Sequence, residues 1–431
     1  MISTSLLLII GGFFSLVFII ILFFNPRIGL LVFLFFRPIV DSIDILRTFN
    51  IPFVHINTLQ FIGISVPYLL LVIIFFNKAN LCQHGFLNTY LVFLLSCIPS
   101  ILFTNDYVFD VASILRLFTF WSIVIFTTTF VTSLEEIKQV LFVILLSSFY
   151  PLVKFSIDYF TGHIIIIGGI ERNLGGYFHM SVISTLLLLF IPAYIFFLLT
   201  ENRMVKKALI VISIGIIILC IYLTQYRTTL IGVAALFITF LLIQKKYIST
   251  FLVCLFFMLV IIATPDIQER FTPLWSALRS LPVLIDPNNS NLDGLLSGRF
   301  GIWRSIITSI LYKAQLQNFF FGFGQLPIMG LTDTSPHSDF LGIWYQYGII
   351  SIIFFCFYLI RTFIAISKGM DNNLSKIVYS TMIALLVVSF AHVTLQDVRN
   401  LLYLGVYIAL AVKHTEISIR ESHVIKTNKP H

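Results

Sequence analysis

The sequence predicts an all-α, polytopic integral membrane protein: a helical bundle of about 12–13 transmembrane helices with one long, partly helical loop on one side. Three observations predict it. Of 431 residues, 58% are hydrophobic and only 11% charged, whereas soluble globular chains carry roughly 45–50% apolar and about 25% charged residues. Mean hydropathy stays at +1.00 over the whole length. Apolar runs long enough to cross a bilayer recur from end to end. Aromatic residues reach 16%, with 46 Phe against 4 Trp, so rings fill lipid-facing and helix-packing positions throughout. This composition excludes a disordered chain, a disulfide-stapled secreted domain and a conventional cytosolic enzyme. The net charge of +8 is spread through short loops and not gathered on one face, which argues against nucleic-acid binding.

A hydrocarbon core about 30 Å thick takes about 20 apolar residues in a helix. Candidate spans lie near 4–24, 58–76, 86–104, 109–131, 139–158, 180–199, 208–223, 229–244, 248–264, 340–365, 377–393 and 400–413. The first lacks a basic n-region and a small-residue cleavage site, so it is expected to be a retained helix and not a signal peptide. Ile28–Ile39, following Asn25-Pro26, is either a short span or a re-entrant segment, which leaves the count at 12 or 13. The expected organisation is N-terminal transmembrane helices over 1–264, a large loop over 265–339, C-terminal transmembrane helices over 340–413 and a tail over 414–431. Cys97, Cys220, Cys254 and Cys356 lie in apolar runs and Cys82 in a short loop, none at disulfide-framework or zinc spacing.

Orientation follows from charge. Working back from the C-terminus, alternate loops and the tail hold fourteen Lys or Arg residues, among them Lys138, Lys206, Lys246, Lys376 and Lys413. The opposite short loops hold three: Arg172, Arg227 and Arg399. By the positive-inside rule the tail is cytoplasmic and the long loop faces outward. A connection of about 75 residues exceeds the usual length of a structureless loop. Within it, Phe271, Leu274, Trp275 and Leu278 make one apolar stripe at helical spacing. Trp303, Ile306, Ile307 and Ile310 make another, with Ser297-Gly298 placed to cap it. Both are expected to pack onto the mouth of the membrane domain. Between them, Asp286–Gly294 is polar and turn-rich.

Four constellations carry chemistry. Arg299 and Arg304 open a helix beside the membrane, where planar guanidinium groups suit phosphate or pyrophosphate oxygens, or equally lipid headgroups. Pro336 biases the chain to an extended approach, which is expected to set His337 at the outer lip of the next span. There a neutral imidazole suits a general base, the bland alternative being a surface histidine. Asp333 and Asp339 flank it, placed to orient the ring or replace it. Arg227 occupies a tight outer turn, paired with an anion or snorkelling to headgroups. Arg172 precedes Gly175-Gly176 in the preceding outer loop. Arg116 and Lys154 are cations inside spans, each pairing internally or facing a polar cavity. No Walker A loop, paired-carboxylate nucleotide-sugar motif or HExxH occurs, so neither a metal nor a cofactor is expected.

The order Arg299-x-x-x-Trp303-Arg304, Phe321-Gly-Phe-Gly324, Pro336-His337-Ser-Asp-Phe-Leu341, then Tyr347-Gly-Ile-Ile-Ser resembles the signature of the bacterial O-antigen polymerase and ligase superfamily. Gln225-Tyr-Arg227-Thr-Thr resembles that family's Ser-x-Ser-Arg segment, with Gln and Tyr in place of small residues. Arg172-x-x-Gly-Gly-Tyr-Phe-His is similar to its Arg-x-x-Gly-x-Phe stretch, with His179-Met180 where Pro-Asn is common. The resemblance, covering about 165–365, implies a metal-independent glycosyltransferase at the periplasmic face of the bacterial inner membrane. Its donor would be a glycan on undecaprenyl pyrophosphate. Carried over, His337 is the base, Arg227 and Arg299 hold the pyrophosphate, and Arg172, Arg304, Gly322, Gly324 and Asp339 contribute to substrate binding. The implied partners are the lipid-linked donor, a glycan acceptor, membrane lipids and a chain-length regulator protein. O-antigen polymerase is the expected activity; ligase transfer to lipid A–core is the near alternative, and lipid-glycan transport the alternative from another class.

Overall fold

The computed structural model describes residues 17–42, 58–77, 84–104, 107–162, 165–167, 170–174, 177, 179–224, 226–263, 299–324 and 337–427. The stripe Phe271–Leu278, the Asp286–Gly294 stretch, Ser297-Gly298, Asp333 and the start of the first span lie outside the described residues. Helices dominate: α1 (Pro26–Asp41), α2 (Thr58–Phe76), α3 (Gly85–Cys97, extended by a 3-10 turn to Phe103), α4 (Tyr107–Phe130), α5 (Leu134–Ser147) and α6 (Phe149–Phe160). Then follow α7 (Met180–Thr200), α8 (Met204–Leu223), α9 (Arg227–Ile243), α10 (Tyr247–Ala263), α11 (Arg299–Thr308), α12 (Leu316–Phe321), α13 (Asp339–Ser367), α14 (Asn373–Ser389) and α15 (Val398–Thr427). Among the described residues, seven helical segments are long and apolar enough to cross a membrane, and three shorter apolar helices accompany them. The protein is a multi-span, helical membrane protein.

Three features refine the sequence expectations. Ile28–Ile39 lies within α1, a 16-residue helix opened by Asn25, whose side chain accepts from the Ile28 amide at 3.2 Å, and by Pro26 in its first turn. The span expected at 139–158 is two helices joined at Ser148, whose hydroxyl meets the Tyr194 hydroxyl at 2.7 Å. Among the described residues, a small antiparallel hairpin, β1 (Ile165–Ile167) and β2 (Ile170–Arg172), departs from all-α structure, with Ile165 opposite Arg172.

The core is built around α7 and α15. Residues 181–196 of α7 are all buried, as are residues 401–411 of α15, the pattern of helices apolar on every side. Tyrosines tie neighbours to these centres. Tyr407 donates to the Leu189 carbonyl at 2.7 Å, and Tyr403 to that of Leu34 at 3.2 Å. In a dry interior such bonds satisfy hydroxyls that would otherwise be costly.

Pairings sort the helix ends. Arg27 pairs with Glu136, His84 lies 3.7 Å from Glu416, and Gln244 donates to Asn373 at 3.3 Å. These join the starts of α1, α3, α5 and α14 to the ends of α9 and α15. At the opposite end gather the starts of α7, α9, α11, α13 and α15, the end at which the charge distribution places the long loop.

Candidate functional site

Three imidazoles meet at that end. His392, in the short loop between α14 and α15, has its ring centroid 6.5 Å from that of His179, nearly parallel at 4°, and 6.2 Å from that of His337, tilted by 38°. Tyr226 lies edge-on to His392 at 5.3 Å. The Arg299 guanidinium donates from Nη1 to Thr228 Oγ1 at 3.2 Å, which fastens the start of α11 to the start of α9.

Each side chain stands where a helix begins. His179 caps α7, its Nδ1 accepting from the Ser181 amide at 3.2 Å and lying 2.6 Å from the Ser181 hydroxyl. An Nδ1 that accepts from an amide carries no proton, so a neutral His179 has its proton on Nε2. Arg227 is the first residue of α9 and Arg299 the first described residue of α11. His337 lies two residues before α13, in the left-handed region at φ 49°. Such a conformation is uncommon outside glycine and costs of order 1–3 kcal/mol, so the surrounding structure must impose it. Converging helix starts bring the positive ends of several dipoles together, which favours an anion.

The His392 loop is fixed to α13. Asp339 is fully buried, and its Oδ2 accepts from the Thr394 and Leu395 amides, each at 2.7 Å. Gln396 Nε2 donates back to the Asp339 carbonyl at 3.3 Å, and Asn400 Nδ2 to the Thr394 carbonyl at 3.0 Å. Farther along, Asp397 pairs with Arg399. The same residue stretch that carries His337 therefore also sets the position of His392.

Burial and electrostatics disfavour the charged forms of His337 and His392. Burial, then the Arg299 guanidinium and His179, push His337 down to about 4. Burial, then His337, His179 and Arg299, push His392 down to about 3, against the raising effect of Asp397. Both are neutral at pH 7, and the Nδ1 atoms of both are buried without a hydrogen-bond partner. Burial also pushes the Tyr226 phenol up, with Arg299 opposing it.

The remaining candidates occupy varied positions. Arg304 lies farther along α11, on the helix whose Ile306 and Ile310 pack with Tyr345, Phe319 and Trp344. Arg172 closes the hairpin on β2. Gly322 and Gly324 dock against a kink in α13, where Gly348 is non-helical at φ 83°: the Phe323 amide donates to the Tyr345 carbonyl at 2.9 Å, and that of Gly324 to the Gln346 carbonyl at 3.0 Å. A Cβ on Gly322, at φ 85°, would lie 2.2 Å from the Gln346 oxygen, so this turn packs backbone against backbone. Lys154 pairs with Asp158 at 2.6 Å, and Arg116 donates to Ser113 Oγ at 2.5 Å.

The structure thus brings together His337, Arg299 and the turn bearing Arg227, and adds His392, His179 and Tyr226. His392 escapes sequence reasoning because a lone loop histidine has no spacing partner. The available signal is its short loop, in which His392, Asp397 and Arg399 fall within eight residues between two spans. Among the described residues no cluster of three or more His, Cys, Asp or Glu side chains could hold a metal ion. The arrangement suits holding an anion beside a neutral imidazole.

Residues 208–356, about a third of the chain, match a protein family described as O-antigen ligase. The match takes in α8 to the middle of α13, and with it Arg227, Arg299, Arg304 and His337, and agrees with the resemblance to the O-antigen ligase and polymerase superfamily. None of the curated proteins matches the chain. His179 and His392 lie outside the matched segment.

Proposed function

We propose that the protein is a glycosyltransferase of the outer face of the bacterial inner membrane, moving a glycan from undecaprenyl pyrophosphate to a sugar hydroxyl. One observation carries this reading: His337, neutral and with a free buried Nδ1, is held beside Arg299 where five helices begin. In the reaction the acceptor oxygen attacks the anomeric carbon of the donor. A new C–O bond forms, the anomeric bond to pyrophosphate breaks, and the electron pair leaves on the pyrophosphate. The acceptor proton passes to His337. Arg299 and Arg227 stabilise the charge left on the leaving group, where loss of one such donor typically costs about 10²–10³ in rate. Proton removal by a placed base contributes about 10²–10⁴. Arg304, farther along α11, is a further candidate for the anionic side. Asp339, buried under two amides, serves by holding the His392 loop.

The acceptor we favour is a second lipid-linked glycan, the polymerase reaction. The description of the matched family favours a second reading, ligation to lipid A–core. Purified protein in vesicles, given lipid-linked repeat units alone and then lipid A–core, tests both through the product that gains glycan. Activity is expected to survive chelation, because no acidic metal cluster accompanies the arginines among the described residues. Loss on chelation with recovery in Mg²⁺ or Mn²⁺ would sink that part of the reading.

A further inference from the structure

His392 is unexplained by the donor chemistry. It lies outside the segment that matches the family, yet more rings converge on it than on His337: His179, His337 and Tyr226 all approach it. Its loop is fastened through Asp339, Gln396 and Asn400. Proteins do not usually leave a buried ring nitrogen without a partner, and such atoms call for an explanation. Here two of them, His337 Nδ1 and His392 Nδ1, belong to rings whose centroids are 6.2 Å apart.

We propose that His392 is the second imidazole of an acceptor-saccharide subsite, in which His337 and His392 hold neighbouring hydroxyls of one sugar ring and so select the hydroxyl that reacts. The inference rests on the reading of the protein as a glycosyltransferase and deepens it. Hydroxyls on adjacent sugar carbons form pairs of donors and acceptors spaced to meet two nearby rings, each at about 2.8 Å from a nitrogen. A neutral imidazole offers one donor and one acceptor, which a hydroxyl can complement in either sense. An anion would be held far more strongly by imidazolium at both rings than by the single N–H of each neutral ring. The groups facing the pair argue against that: Arg299 and His179 both disfavour protonation of His337, and of His392. Asp397 opposes this only at His392. Arg299 therefore marks the anionic side of the site and the two imidazoles the hydroxyl side. The proton of the reacting hydroxyl goes to His337, while His392 holds the neighbouring hydroxyl and changes no bond.

The test uses the full-length protein in vesicles, with lipid-linked glycan extracted from the native host as donor and, in separate arms, the same glycan or lipid A–core as acceptor. His392→Leu should raise the acceptor KM about tenfold, the scale of one lost hydrogen bond, while donor binding stays within twofold. His392→Asn, whose amide reaches the place of Nδ1, should recover most of that loss. Both variants are compared with the unaltered protein by melting temperature. An acceptor KM unchanged in folded His392→Leu overturns the proposal. So does a fall in donor binding matching the fall in turnover, which would put His392 on the anionic side. If His392→Leu fails to fold, His392→Phe, which keeps the ring and loses its nitrogens, decides: a raised acceptor KM with donor binding unchanged supports the subsite, and a near-normal acceptor KM overturns it. Failure of the glycosyltransferase reading looks different, because then the unaltered protein transfers nothing to either acceptor.

Discussion

On the proposed function, a His337 base held far below its ordinary pKa should reveal itself in the acid limb of the rate. His337 is pushed down to about 4 by burial, Arg299 and His179, against about 6.5 for an unperturbed histidine. The base works only when neutral. At pH 5.5 a group with pKa 4 is about 97% neutral, whereas one with pKa 6.5 is about 9% neutral, a difference of roughly tenfold. Under donor-limited conditions kcat/KM reports the free enzyme. It should therefore stay level from pH 7 to about pH 5 and fall only below that. The sign is fixed: protonation removes the base, so the rate is lost as pH falls through the folded-state value. The assay is transfer of labelled lipid-linked glycan in vesicles between pH 4.5 and 8.5, with a melting curve at each pH to separate titration from unfolding. Arg299→Gln should lower the rate and also move the acid limb upward, since it removes a cation that disfavours imidazolium. An acid limb centred near pH 6.5 in the unaltered protein would refute the electrostatic argument. The base would then be solvated and unconstrained, or another group.

Other substitutions test the framework. Asp339→Ala strips the acceptor from two amides, each costing about 1–3 kcal/mol when left unmet in the interior; hydrogen exchange at Thr394 and Leu395 should accelerate, and Asp339→Asn should preserve part of the protection. Gly348→Ala places a Cβ 2.1 Å from the Phe320 carbonyl oxygen at φ 83°, so it should lower the melting temperature, while Gly215→Ala, with nothing within 4 Å, should leave it unchanged or raise it. A cysteine at Lys246 should resist an impermeant label from outside and one at Thr334 should react. The reverse would invert the topology and the reading with it. Arg299→Lys should recover only part of the activity lost in Arg299→Ala, because an ammonium keeps the charge without the planar fork.

Much of this was legible in the sequence, for identifiable reasons. Span length and apolarity are one-dimensional properties, so helices such as Met180–Thr200 and Met204–Leu223 fall close to the runs that predict them. Arg299 and His337 stand out because each opens a helix in the long outer connection. The Ser148 break and the non-helical Gly348 within α13 are less legible, since an apolar run reads the same whether or not it is interrupted. The hairpin at 165–172 is three residues per strand, below the length at which alternation is visible. The meeting of His179, His337 and His392 is invisible for a different reason. It depends on antiparallel packing that brings positions more than 200 residues apart to one end of the bundle. Nor does Asp339 announce its role: beside His337 in sequence it reads as a candidate base, and only the fold turns it into the anchor of another loop.

On the proposed function, the positive field that would attract a pyrophosphate also disfavours protonation of His337, so donor binding and base strength should be linked. In the free protein Arg299 disfavours imidazolium at His337 and His392. A bound pyrophosphate places negative charge against that guanidinium and cancels part of its effect at the nearby ring. The pKa of His337 should then rise, making it a stronger base only when there is a donor to attack. Catalytic proton transfer is most efficient when the pKa of the base lies near the working pH, so this shift moves His337 in the useful direction. The consequence is measurable. The acid limb of the rate at saturating donor should lie at higher pH than the limb measured under donor-limited conditions. His392→Asn should retain this displacement, since it leaves Arg299 in place, whereas Arg299→Gln should shrink it. Identical acid limbs under both conditions would mean that the bound pyrophosphate does not neutralise Arg299, and the phosphate clamp would have to be sought at Arg227 or elsewhere along the helix starts.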